Sequence, residues 1–562
     1  MSYSGTRSRK YVARSYHGMV LALLLVVTLI TACGTAEAKP KPQIRTILAA
    51  SYFGEAWPVN FWSSDLSYAP QDFQQIKNNG FNAILLVVPW GYFQPGVDPA
   101  SFNQSAFTRL DMLITEAKSA GLGVLLRLSY NWDTDPSDQQ PGWTRFGNLF
   151  TSATVYNSWL SYIAKLHDNV SHYSNVWGGF ISWEDFQVLI SEGKAATSLS
   201  ERLTLAHSVG YDSWLSKNYN LKNVSNEYHT TFHSWNSVPT PLATTPEFSL
   251  FYRFWDEELI NKIFEPALQR FPGLTMETRV DEDPLFNGTT QVGVYSHDVT
   301  YRLPGTAVTG LYYNPYMGAQ GGSIETVNQA LAGMKSVLNR VKNQSGGRSL
   351  FIDEFQLYDN TPANAGNSHL SIAEVPQFIN ASIPLLKKYT VGYAVWTYRD
   401  YNANAISNPS GAIGLTDWST EGIVTNSSAN GIGSFFSLGD NSQISQTIPK
   451  SNGAILNSLP LVDITFSARA TTTPTQLTIK VGNECIDHFD LSITMTSYKF
   501  TCATNSLPNY NLSVSTEKST LVNNIQVYNY TQLGDIYSNT GVAESGLGPL
   551  TALNKAMSDG RS

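Results

Sequence analysis

The sequence predicts an α/β barrel of the TIM type followed by an all-β sandwich, and three observations carry that reading. Short apolar runs alternate with helical stretches from residue 44 to about residue 405. Two of those runs, Gly179-Phe-Ile-Ser-Trp-Glu-Asp185 and Ser349-Leu-Phe-Ile-Asp-Glu-Phe355, deliver a glutamate at their C-terminal ends. Beyond about Asn402 the composition shifts to Ser, Thr, Asn and Gly with short alternating runs.

The elements follow in order. Thr46 to Phe53 reads as the first strand; Ala69 to Asn79 reads as a helix stopped by Gly80. The second strand is the continuous apolar run Asn82 to Trp90. A helix over Arg109 to Ala120 ends at Gly121, and Leu122 to Tyr130 makes the third strand. An aromatic-rich helix, Val155 to Tyr173, leads to the fourth, Val176 to Trp183. Leu274 to Val280, Thr309 to Tyr313, Ser349 to Asp353 and Val391 to Trp396 complete eight strands. Helices over Ser323–Lys342 and Val375–Lys387 lie among them. A doubly wound open sheet is the alternative, but no glycine-rich phosphate loop follows the first strand. Residues 187–273 exceed what one crossover needs. They read as an insertion beside the strand C-termini, with helices over Ser213–Asn218 and Phe254–Leu268.

The sandwich, residues 406–540, is predicted from runs such as Leu461–Ala468, Gln476–Val481, Phe489–Met495 and Asn524–Tyr530. Residues 541–562 read as a small, polar, flexible tail.

With 562 residues, 42% hydrophobic and 14% charged, the chain can fill a large core and at least two domains. Aromatics reach 12%, with 13 Trp and 29 Tyr, a content that suits either stacking against sugar rings or a large core. The formal charge is −8, and loss of residues 1–32, which hold Arg7, Arg9, Lys10 and Arg14 and no acid, takes it to −12. So acidic a chain is a poor ligand for nucleic acid or for an anionic membrane.

At the N-terminus a basic region precedes the apolar run Met19 to Ile30, too short for an ordinary membrane span, and reads as a secretion signal over residues 1–32. Leu29-Ile-Thr-Ala-Cys33 resembles a bacterial lipobox, which implies lipidation of Cys33 and attachment to the membrane through that anchor alone. The alternative is cleavage near Ala36 or Ala38. Either places the protein outside the cytoplasm. Residues 33–43, with Lys39-Pro-Lys-Pro-Gln43, form a stiff linker. With Cys33 committed, Cys485 and Cys502 remain as a disulfide pair in an oxidising compartment, or as two buried thiols. The cysteines and histidines lack zinc-ligand spacing, and no metal or organic cofactor is called for.

Carboxylates at strand ends of a barrel are the minimal equipment for hydrolysing a glycosidic bond, which makes Glu184 and Glu354 the candidate pair. In the retaining version one attacks the anomeric carbon while the other, protonated, serves the leaving oxygen, the two standing about 5–5.5 Å apart. Burial beside Trp183 would raise the acid's pKa. Arg127, in Leu125-Leu-Arg-Leu-Ser-Tyr130, is the candidate donor that keeps the nucleophile ionised, with Tyr313 or Tyr316 after the sixth strand as a second. The competing reading makes Arg127 a structural ion-pair partner. Asp185 and Asp353 flank the pair as supporting residues. Asp281-Glu-Asp283 reads as a solvated cluster, with sugar hydroxyls or calcium as its alternatives.

At these residues the chain resembles the clan of retaining TIM-barrel glycosidases, nearest to its β-galactosidase-like and cellulase-like barrels. Tyr52-Phe-Gly-Glu-Ala-Trp57, Leu86-Val-Val-Pro-Trp90 with Gln94-Pro-Gly96, and Trp214-Leu-Ser-Lys-Asn-Tyr219 with Trp235-Asn-Ser-Val-Pro239 carry the likeness over residues 46–400. The resemblance implies Glu184 as general acid/base and Glu354 as nucleophile. It also implies Trp396 as a sugar-stacking platform, with Trp90 and Trp132 as further aromatic contacts. One departure stands out: the clan has Asn before the acid/base and this chain has Trp183. The segment Gly411-Ala-Ile-Gly-Leu-Thr-Asp-Trp418, with Gln443-Ile-Ser-Gln-Thr-Ile448 and Asn523-Asn-Ile-Gln-Val527, resembles jelly-roll modules appended to secreted glycosidases, many of which bind carbohydrate. The expected activity is hydrolysis of a β-linked polysaccharide or oligosaccharide. Its alternatives are a carbohydrate-binding surface lipoprotein without catalysis and a transglycosylase of the envelope glycan.

Overall fold

The structure is a computed structural model that describes residues 45–58, 60–130, 142–182, 186, 188–278, 280, 283–315, 323–362, 365–430, 432–449, 461–482, 485–503 and 509–559. The predicted signal, Cys33 and the linker lie outside these residues. Thr46–Ser562 forms one compact unit.

Eight parallel strands close into a barrel: β1 (Ile47–Ser51), β2 (Ala83–Pro89), β3 (Gly123–Tyr130), β4 (Val176–Ile181), β5 (Leu274–Thr278), β6 (Val308–Tyr313), β7 (Ser349–Gln356) and β8 (Thr390–Trp396). Each pairs with its sequence neighbours, and β1 pairs with both β8 and β2, which shuts the ring. The strands read as continuous apolar runs because both faces are covered, by the barrel interior and by helices. All seven residues of β2, Ala-Ile-Leu-Leu-Val-Val-Pro, are buried.

The outer helices begin where local chemistry allows. Helix α1 (Ala69–Asn78) has Pro70 in its first turn. Asn103 caps α2 (Gln104–Ser119) by accepting from the Ala106 amide, and Ser152 caps α3 (Ala153–Val170). Thr326 and Gln329 form a reciprocal capping box on α4 (Val327–Gln344), and α5 (Val375–Tyr389) carries Pro376 in its first turn. The insertion after β4 is helical over Val188–Ala195, Leu199–Val209, Tyr211–Asn218, Leu221–Glu227 and Phe248–Arg270, the last through a π-helical turn at Leu259–Phe264. It packs on the barrel through Trp255, whose ring meets Phe150 at 4.6 Å. Trp62, Trp90, Trp159 and Trp255 are fully buried, so much of the aromatic content serves the core.

The C-terminal region forms two five-stranded antiparallel sheets. Numbered onward, the strands are β9 (Ser419–Glu421), β10 (Val424–Ala429), β11 (Gly433–Leu438), β12 (Ser442–Pro449), β13 (Leu461–Ala470), β14 (Thr475–Val481), β15 (Cys485–Leu491), β16 (Thr496–Ala503), β17 (Asn509–Thr516) and β18 (Thr520–Tyr528). One sheet has the order β9-β12-β17-β14-β15 and the other β10-β11-β18-β13-β16. Inward residues of both, including Ile444, Ile479 and Val514 facing Ile464, Phe466 and Val522, share one hydrophobic core. Cys485 on β15 and Cys502 on β16 form a disulfide that ties the two sheets together.

Two expectations give way here. The chain returns to the barrel before residue 540: Thr531–Gln532 pairs with Tyr401–Asn402, and the Gly534 amide donates to Asp400 at 2.8 Å. The segment expected to be a flexible tail contains α6 (Leu547–Asp559), with Leu550, Leu553 and Met557 buried. Helix α6 packs on α5, while Asn554 accepts from Tyr393 of β8 and donates to the Asn79 carbonyl after α1. It fills the helix position between α5 and α1. The sandwich interrupts the chain after β8, so the cover for this outer face arrives only after the sandwich is complete. Its apolar residues recur with helical spacing within a stretch whose composition looks polar.

Candidate active site

Arg127 on β3 is the centre of the barrel's charged interior and is 1% exposed. Its Nη1 donates to Glu354 Oε2 at 2.6 Å, and its Nη2 donates to Glu277 Oε2 at 2.9 Å and to Ser182 Oγ at 3.2 Å. One guanidinium thus joins β3, β5, β7 and the end of β4. The planar fork of arginine suits this divergence, and hydrogen bonds between ionised partners are the strong kind. The Tyr130 ring lies 5.1 Å from the guanidinium carbon.

A bulge explains how β7 sends two adjacent carboxylates inward. In regular pleat, Asp353 and Glu354 would face opposite sides. The pairing of β6 with β7 shifts between Leu311–Ile352 and Tyr312–Glu354, leaving Asp353 as the extra residue. Asp353 is fully buried, and neither carboxylate oxygen has a hydrogen-bond partner in the described protein. Burial, with Glu277 close by, pushes its carboxyl well above the usual carboxylate range. Gly310 on β6 makes the space: a Cβ there would stand 2.7 Å from Asp353 Oδ2 and 3.0 Å from the Met276 carbonyl.

An aromatic wall stands at the C-terminal end of β8 and β1. Trp396 packs on Phe53 at 5.0 Å, and Tyr401 meets Phe53 edge-on at 4.8 Å and Trp57 at 5.6 Å. Trp396 lies 6.0 Å from the Arg127 guanidinium carbon.

Glu354, Arg127 and Trp396 therefore meet at one end of the barrel. Trp183, Glu184, Asp185, Trp132 and Tyr316 lie outside the described residues. Two aromatic assignments are corrected. Trp90 is fully buried, its indole N–H donates to Gln94 Oε1 at 2.7 Å, and Arg145 covers its ring, so no sugar face remains. Tyr313 is fully buried and donates to the Ala330 carbonyl of α4 at 3.1 Å. It points outward to the helix layer; Tyr312, opposite Glu354 in register, has the other parity. Asp283 is not solvated: it is buried, accepts from His297 Nε2 at 3.2 Å and pairs with Lys194, while His297 Nδ1 meets Asp256 at 2.8 Å. Asp281 and Glu282 lie outside the described residues. Sequence reasoning missed Glu277, which shares Arg127 with Glu354. The available signal for Glu277 was a carboxylate within the apolar strand Leu274-Thr-Met-Glu-Thr278.

Among the described residues, no group of three or more His, Cys, Asp or Glu is placed to hold a metal ion, and no helix is long and apolar enough to cross a membrane.

No protein-family model matches the chain, and no curated protein matches it. Among solved structures it is similar to GH5_18 from Streptomyces cattleya in complex with GlcNAc, at 15% identity and a TM-score of 0.38 over 64% of this chain and 72% of that one. It is also similar to a β-galactosidase from the psychrophilic Marinomonas ef1, at 12% identity and a TM-score of 0.45, covering 63% of this chain and 54% of that one. TmCBM61 in complex with β-1,4-galactotriose matches over 23% of this chain and 99% of its own, at 12% identity and a TM-score of 0.19. The barrel assignment rests on the strand pairing itself.

Proposed function

We propose that this chain is a retaining glycoside hydrolase acting on a β-linked polysaccharide or oligosaccharide outside the cytoplasm, held to the membrane by lipidated Cys33. The observation that carries the reading is Glu354 at the C-terminal end of β7, bonded at 2.6 Å to the buried Arg127, whose guanidinium carbon lies 6.0 Å from the Trp396 ring. A strand-end carboxylate with a fixed orientation is what a nucleophile on this fold requires.

In the proposed sequence a Glu354 oxygen attacks the anomeric carbon as the bond to the leaving oxygen breaks, and Glu184 gives that oxygen its proton. Glu184 then takes a proton from water, whose oxygen attacks the same carbon and releases Glu354. Arg127 fixes the Glu354 oxygen it bonds and leaves the other for attack. Trp183 replaces the Asn that the resemblance leads one to expect beside the 2-hydroxyl, so the proposal includes a different mode of holding that sugar. The two-sheet module is proposed as a jelly-roll of the carbohydrate-binding kind.

The test is release of reducing sugar from a panel of β-glycans by the native chain and by Glu354→Gln. The proposal expects release by the native chain and a loss of at least about 10³-fold in the variant, in keeping with removal of an acting catalytic group. Equal release by both removes the nucleophile assignment. Binding without release identifies the non-catalytic reading, and longer products with added sugar acceptors identify transglycosylation.

A further inference from the structure

A second concave site lies outside the barrel mouth. In the two residues after β1, side chains continue the strand's alternation: Phe53 faces Trp396 and Tyr401, whereas Tyr52 faces α1, donating to Asp72 at 2.9 Å. Beside Tyr52 and Phe53 a cavity of about 420 Å³, whose lining includes none of Arg127, Glu354 and Trp396, opens between the loop after β1 and the sheet containing β13 and β18. The even-numbered residues of β13, Ile464 and Phe466 among them, belong to the sandwich core, so Ser467 presents the opposite face to this cavity. The volume falls within the roughly 300–1,000 Å³ of small-molecule sites.

The lining has a distinct chemistry. Glu55, Tyr68, Arg399, Asn523, Gln526 and Thr540 combine one carboxylate, one guanidinium, two amides, a hydroxyl and a ring that is 51% exposed. Asn523 is 9% exposed; its Nδ2 donates to the Ile432 carbonyl at 2.9 Å, while its buried Oδ1 has no partner in the described protein. A buried amide oxygen without a partner is a place for an incoming hydroxyl donor. Arg399 is held by Asp72 at 2.8 Å, which neutralises it, while Glu55 remains as an acceptor, bonded on one oxygen by Asn524 at 3.3 Å. With Asp72 paired to Arg399, the carboxylates of Glu55 and Asp65 leave the walls net negative, so phosphate, sulfate and uronate ligands are repelled. The unpartnered Asn523 Oδ1 and the Glu55 carboxylate beside an exposed ring match vicinal hydroxyls on a sugar face.

We infer that this cleft is an auxiliary binding site for a neutral oligosaccharide, formed jointly by the barrel and the two-sheet module and separate from the barrel mouth. Such a site would hold a glycan chain on the enzyme independently of cleavage. It does not depend on hydrolysis, so it can stand or fall apart from the proposed activity.

The experiment is calorimetric titration of the full chain carrying Glu354→Gln with cellotetraose, mannotetraose, β-1,4-galactotetraose and tetragalacturonate. The same titrations are run after adding Asn523→Ala or Thr540→Trp. The expected result is a neutral tetrasaccharide whose binding weakens about tenfold or more in both cleft variants. Turnover of a soluble aryl β-glycoside by chains with intact Glu354 should not change with either cleft substitution. Thr540 is an exposed rim residue, so Thr540→Trp carries the test if Asn523→Ala fails to fold. Unaltered binding of every neutral probe, or no binding of any of them, overturns the proposal, and so does tighter binding of tetragalacturonate. Failure of the aryl glycoside to react would instead count against the glycosidase reading.

Discussion

Arg127 is the residue on which the barrel interior turns. Removing it leaves Glu277 and Glu354 without the cation between them, and breaking a buried pair in this way costs about 3–5 kcal/mol. Arg127→Met should therefore lower the melting temperature markedly, as read by circular dichroism, and abolish sugar release together with it. Tyr313 supplies the contrast. Its hydroxyl serves α4, so Tyr313→Phe should cost about 1 kcal/mol of stability and leave kcat unchanged. A large fall in kcat for that variant would place the hydroxyl in the site after all. Sequence reasoning chose Arg127 and Glu354 because strand ends are legible. It named Tyr313 or Tyr316 as a second donor, and the outward parity of Tyr313 depends on a pairing register that composition does not reveal.

Among the elements, β7 and the segment after β8 have the clearest consequences. The bulge on β7 needs the space over Gly310, so Gly310→Ala should destabilise the fold through collision with Asp353, measurable as a lower denaturation midpoint. Asp400 lies just beyond β8, accepting from the Gly534 amide, and burial pushes its carboxyl up to about 7. The unfolded value is about 3.9, so between roughly pH 4 and pH 7 the native state holds a proton that the unfolded chain has released. That contribution is full below about pH 4 and is lost as pH rises through 7. The native chain should lose melting temperature across this window by a few degrees more than Asp400→Asn does. Parallel curves would show that Asp400 does not titrate as described.

At the level of the whole molecule, the chain leaves the barrel after β8, builds the sandwich, and returns to complete the barrel with α6. Leu553→Ala, in the interface between α6 and the barrel, should cost about 2–5 kcal/mol although only nine residues follow it in the sequence. Calorimetry would read this as a shift of the barrel transition. The Cys485–Cys502 bridge, with a sequence separation of 17, acts elsewhere. Its removal by paired serine substitutions should destabilise the sandwich by about 3 kcal/mol, the loop-closure value, without changing turnover of a small aryl glycoside.

The sequence by itself determined the alternation of buried strands and helices, the order of the eight barrel strands and the change to antiparallel structure. Each of these is written in local periodicity or in residue counts. The sequence left Cys485 and Cys502 as either a disulfide or two thiols, which the structure resolves as a disulfide. Only the tertiary structure decided that Glu277 shares Arg127 with Glu354, that Asp353 is buried among them, and that α6 belongs to the barrel. These depend on contacts between residues 150 to 475 positions apart, set by register, a bulge and chain return, and short-range pattern carries no record of such distances.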